Sequence, residues 1–169
     1  MNRILLLLEH KENRRLLSEW LATRYQLISP DFDLEAQVEV PLCNQSFDLC
    51  ILGSRALDKH WEWVQARKRA EQPLFLPFLL ITSRQDVGMV TRDLWQSVDD
   101  LITQPIEKAE LQARVEILLR SRSLSLQLQT ANQKLASEIA QRQELISALA
   151  KSEAKFRALV QNSSDVISV

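Results

Sequence analysis

A chain of 169 residues with 46% apolar and 25% charged residues can bury one ordinary core and still have length left for an extension. Its formal net charge of -1 supplies neither a basic groove for nucleic acid nor a basic stripe for an anionic membrane, and neither is expected as a partner. The most apolar run, Ile4 to Leu8, is far shorter than the roughly 20 residues a bilayer demands. Cys43 and Cys50 form neither a metal-ligand cluster nor a disulfide framework, which fits a reduced, cytoplasmic setting.

Taken in chain order, short apolar runs alternate with helical patterns. Ile4 to Leu8 reads as a buried strand closed by Glu9 and His10, and Leu16, Leu17, Trp20 and Leu21 share one face of the helix that follows. Tyr25 to Ile28 is a second strand, Asp33 to Leu42 a short helix, and Phe47 to Leu52 a third strand in which Cys50 is core filler rather than a reactive thiol. Leu57, Trp61 and Val64 line the next helix. Trp63, two positions from Trp61, falls on a different face and is expected to be exposed. Phe78 to Thr82 forms a fourth strand, Val87, Val90, Leu94 and Val98 the apolar face of another helix, and Asp100 to Thr103 a fifth strand.

This alternation predicts a parallel sheet covered on both faces by right-handed crossovers. Chemistry then belongs beyond the carboxyl ends of the strands. Those ends carry Glu9 and His10, Gly53, Thr82 and Ser83, and Gln104 with Pro105. Asp48, Asp99 and Asp100 open their strands and belong to the opposite edge.

A second regime begins near Glu107. Every proline and both glycines lie at or before residue 105, and the remainder is rich in strong helix formers, so Glu107 to Leu159 reads as one long helix. Leu128, Leu135, Arg142, Leu149 and Phe156 recur every seven residues, flanked first by Ala131 and then by Ile139, Leu145 and Ile146. The pattern is a coiled coil with a register irregularity. It predicts a parallel homodimer with Leu128, Leu135, Ile139, Leu145, Ile146, Leu149 and Phe156 in its seam; the alternative is a monomeric helix lying along its own domain.

Four segments in order, Ile4 to His10 with Asn13 and Arg14, Phe47 to Gly53, Pro77 to Ser83, and Asp99 to Pro105, resemble a response-regulator receiver domain. The resemblance implies an α/β, flavodoxin-like, doubly wound five-stranded parallel sheet of order 2-1-3-4-5. It implies a receiver-like domain over 1–121 and a signalling helix over 122–155. Such domains hold magnesium between an acidic pair after the first strand and a third carboxylate that accepts the phosphoryl group. Here the pair is Glu9 and His10, and the acceptor position is Gly53, which has no side chain.

The family's lysine is replaced by Gln104, and Leu101 stands where an aromatic residue commonly couples to the switch hydroxyl, which Thr82 retains either in a residual switching role or simply to cap or terminate its strand. Pro105 either follows a cis peptide bond, as the resemblance suggests, or simply starts a helix. His10 is expected as a strand-end histidine with a satisfied hydrogen bond rather than a ligand. Glu9, His10, Gly53, Thr82, Gln104 and Pro105 thus form a degenerate pocket with no catalytic residue, metal or cofactor expected.

Ser152 to Val169 resembles the entry into a PAS sensory domain, with 156–169 as its truncated start and Val166 to Val169 as its first strand. These features imply a non-enzymatic pseudo-receiver that binds a signalling protein or a small ligand. Its coiled coil would relay conformation to PAS and output domains. The alternatives are a phosphoryl acceptor using another residue and a purely structural dimeriser.

Overall fold

The computed structural model describes residues 1–30, 45–86 and 97–167. The helix expected over 33–42, Cys43 and residues 87–96 of the helix expected over 87–98 lie outside the described residues; Val98 is buried but not helical. The strands are β1 (Arg3–Leu7), β2 (Gln26–Ile28), β3 (Leu49–Gly53), β4 (Phe78–Thr82) and β5 (Asp100–Thr103). The helices are α1 (Lys11–Leu21), α2 (Ser54–Lys59), α3 (Trp61–Glu71) and α4 (Lys108–Ile167). The strands pair in parallel in the order β2-β1-β3-β4-β5.

Alternation along the strands divides the core into two layers. Leu5, Leu7, Cys50, Leu52, Phe78 and Leu80 meet Ala56 and Leu57 of α2 and Val64 of α3 on one face. Ile4, Leu6, Leu49, Ile51, Leu79 and Ile81 meet Leu21 of α1 and Leu111 and Val115 of α4 on the other. Every residue of β3 and β4 is buried, as expected for central strands covered from both sides. Cys50 is fully buried, and burial pushes its thiol well up from the ordinary range, so it packs as a small apolar side chain.

The chain divides into two compact units, Met1–Leu126 and Gln127–Val169. The first unit includes the beginning of α4 because that segment is buried against the sheet and clamped by polar contacts. The guanidinium of Arg122, itself buried, donates to Glu71 at 2.9 Å and to the Phe75 carbonyl at 3.1 Å, and Ser125 Oγ accepts from Phe75 N–H at 2.9 Å. In the second unit Leu128, Leu135, Ile139, Leu145, Ile146, Leu149 and Phe156 are all exposed.

Three expectations change. The segment expected as one helix around Leu57, Trp61 and Val64 is two, because His60 leaves helical geometry at φ -114°, ψ 22°. Trp63 is half-buried rather than exposed: it packs against Phe47 and Phe78 at ring separations of 6.1 and 6.2 Å, and Trp61, Trp63 and Val64 of the first turn of α3 all contact one core layer. Val166 and Ile167 are helical rather than the start of a strand. With no Pro or Gly after residue 105, no strong breaker stops α4.

Candidate functional site: the pocket at the carboxyl ends of the strands

The parallel register brings the ends of β1, β3, β4 and β5 to one edge. Gly53 pairs with Ile81 and Thr82 with Thr103, and Gln104 N–H donates to the Thr82 carbonyl at 2.8 Å. Leu8, Glu9, His10, Asn13, Gly53 and Gln104 help to line a cavity of about 20 Å³ there. That is room for about one water molecule. Beside it, Asn13, Leu17, Trp20, Gln104, Ile106 and Lys108 border a more open hollow of about 310 Å³ between α1 and the start of α4.

Glu9 does most to shape the small cavity. Its carboxylate Oε1 accepts a hydrogen bond from Ala56 N–H at 2.5 Å. Ala56 is the third residue of α2, whose N-cap is Gly53, so this amide belongs to the group a helix start leaves unsatisfied and an N-cap side chain ordinarily satisfies. Gly53 has no side chain to offer. A Cβ built on Gly53 would lie 2.5 Å from Glu9 Oε2, 2.8 Å from Oε1 and 2.9 Å from Cδ. The Glu9 carboxylate therefore fills the space in which a side chain at position 53 would stand.

Thr82 is 2% exposed; its hydroxyl accepts a hydrogen bond from Ser54 Oγ at 2.9 Å and lies 3.5 Å from the Ser83 carbonyl. Ser54 is a member of the site that sequence reasoning missed. Its position directly after Gly53 was the available signal. His10 is exposed at the N-cap of α1, and its side chain makes no capping bond, so the expected satisfied hydrogen bond is not found among the described residues. The Gln104 and Pro105 side chains are exposed, the bond between them is cis, and Leu101 is half-buried against the core.

The other carboxylates serve the opposite edge. Asp48 accepts from Arg3 N–H at 2.8 Å; Asp99 accepts from Phe78 N–H at 2.8 Å and pairs with Lys68 at 2.9 Å; Asp100 pairs with Arg114 at 2.5 Å. The Arg114 guanidinium is held above its ordinary range, first by its hydrogen bond to Asp100 and then by that to Glu110.

Magnesium, which the fold family implies, does not fit these residues. It needs several hard oxygen donors in near-octahedral array. The pocket has one carboxylate, already engaged with a backbone amide, beside an exposed imidazole and a glycine. Among the described residues no three Asp, Glu, His or Cys side chains gather to hold a metal, and no helix is long and apolar enough to cross a membrane.

No family model matches the chain. It is 31% identical over 135 residues to the response regulator protein PmrA of Pseudomonas aeruginosa, a match covering 77% of this chain and 61% of that protein. The chain thus spans less than two thirds of that relative's length. The receiver domain of the TMAO respiratory system response regulator TorR superposes with a TM-score of 0.58 at 21% identity, covering 72% of this chain and 99% of that one. Full-length FixJ from B. japonicum gives 0.59 at 20% identity, covering 82% and 68%. An adenylate cyclase structure from Rhodopirellula baltica gives 0.60 at 14% identity, covering 79% and 98%, and at such identity the likeness is one of fold. Sheet order, the helices on both faces and these superpositions give the globular unit the fold of a response-regulator receiver domain, and its sequence is similar to that of a response regulator.

Proposed function

We propose that this chain is a non-phosphorylatable, receiver-like signalling module that binds a partner protein or small ligand and passes a conformational change through a dimeric coiled coil to PAS or other output domains. The observation that carries the reading is Gly53: the acceptor position ends the central strand with no side chain, and a neighbouring carboxylate already fills its space. A phosphoryl acceptor needs a nucleophilic oxygen there and positive charge around it. The lysine expected by family resemblance is Gln104, which brings no charge.

The relay part of the proposal rests on α4. Leu111, Val115, Leu118 and Leu119 are buried in the receiver core, while the same helix carries the heptad-spaced apolar residues from Leu128 to Phe156 in exposed positions. A helix with a thin exposed stripe is stabilised by burying that stripe against a second copy. One continuous element would then belong to both the domain and the dimer.

Intact-mass spectrometry after incubation with acetyl phosphate and magnesium tests the central claim. No phosphoryl adduct is expected. A stoichiometric, magnesium-dependent adduct on the native chain would overturn the reading and leave an unconventional acceptor to be mapped.

A further inference from the structure

We infer that Glu9 stands in for the missing acceptor side chain and closes the receiver pocket from within, so that the pocket is an internally occupied site rather than a vacant one open to a ligand. The inference deepens the pseudo-receiver reading and rests on it. Three observations converge. The Glu9 carboxylate lies where a Cβ at position 53 would be, with both oxygens and Cδ within 2.9 Å of it. It supplies to Ala56 N–H the bond that an N-cap side chain at position 53 would supply. The remaining cavity, about 20 Å³, admits about one water molecule.

The hydroxyls complete the closure. Ser54 Oγ donates to Thr82 Oγ1, so the switch hydroxyl is already engaged with the residue that opens α2. Glu9 thus joins the end of β1 to the start of α2, and Ser54 joins the start of α2 to the end of β4. Glu9 is a positioning residue here: it acts on the α2 start and no reaction passes through it. A ligand of this unit then binds outside the closed pocket, at the surface or in the neighbouring hollow of about 310 Å³.

The contact predicts a specific coupling. A side chain at position 53 displaces only the flexible end of Glu9, so the steric penalty is small; what is lost is the bond to Ala56. An aspartate at 53 can itself accept from Ala56, because Asp is a favoured N-cap residue. Glu9→Ala, Gly53→Asp and the double variant of the full chain should be compared by thermal unfolding and by the Ala56 amide proton resonance. In the native background Glu9→Ala should lower Tm by about 2–4 °C, as loss of one cap implies. It should also move the Ala56 amide proton upfield.

In the Gly53→Asp background the same substitution should lower Tm not at all, and the downfield amide should persist. Equal losses in the two backgrounds, or no loss in either, would overturn the inference. If Glu9→Ala does not fold, Glu9→Gln retains an acceptor oxygen and should keep the downfield Ala56 amide; its loss in that variant counts equally against the assignment. Failure of the underlying reading has a different signature, a phosphoryl adduct on the native chain.

Discussion

The apolar side chains of the two units meet opposite fates although they are of the same kinds. In Met1–Leu126, Leu80, Ile51 and Leu111 are at most 1% exposed, whereas in the second unit Leu128, Leu135 and Leu149 are 64%, 55% and 70% exposed. The first unit satisfies its own hydrophobic surface with a closed two-layer core. The second, a single helix, leaves its apolar stripe exposed, and in the proposed reading that stripe is buried against a second copy. Stability of the first should therefore be independent of concentration, and order in the second should follow association.

The strongest way to break that comparison is to charge the stripe. Leu135→Glu combined with Leu149→Glu should halve the mass seen by light scattering while leaving the near-ultraviolet dichroism of the receiver unit, with its Trp63, Phe47 and Phe78 cluster, unchanged. Collapse of both signals would mean that the second unit is needed to fold the first. A single truncation sharpens the same contrast: Leu80→Ala, in the closed core, should cost about 2–5 kcal/mol of unfolding free energy. Leu149→Ala should leave receiver stability within error and weaken only the dimer.

A smaller effect is expected where the two regimes share a helix. Glu71 accepts from Arg122 at 2.9 Å and pairs with Arg67 at 3.3 Å, and Arg122 also holds the Phe75 carbonyl. Breaking a fully buried pair costs several kcal/mol; Glu71 is 19% exposed, so Glu71→Gln should cost about 2 kcal/mol in chemical denaturation. No measurable loss would mean that apolar packing of Leu111, Val115, Leu118 and Leu119 alone anchors the root of α4.

Much of this was legible in the sequence because periodicity encodes it. All five strands followed from short apolar runs, and the long helix from the absence of Pro and Gly after residue 105. Gly53 was readable as a residue without a side chain at the carboxyl end of its strand. That Glu9 reaches into its space was not, because contact between residues 44 positions apart depends on strand register and side-chain direction rather than on spacing. The Arg122 and Glu71 clamp, 51 positions apart, was hidden for the same reason. The break at His60 escaped because spacings of four and three across Leu57, Trp61 and Val64 suit one continuous helix, and neither Pro nor Gly marks the turn.

That turn gives the smallest predicted effect and one with a definite sign. His60 closes α2 and opens α3, and burial, followed by the nearby Lys59 charge, lowers its pKa from the ordinary value of 6.5. The fold thus favours the neutral imidazole. As pH falls, the unfolded chain takes up this proton before the folded one does, so the contribution is present above about 6.5 and is lost progressively below it. Receiver stability should decline as pH falls below about 6.5, above the range in which most carboxylates titrate. His60→Asn should flatten that decline. An unaltered slope in the His60 variant would mean that another group carries the pH dependence and that the turn between α2 and α3 tolerates the charged ring.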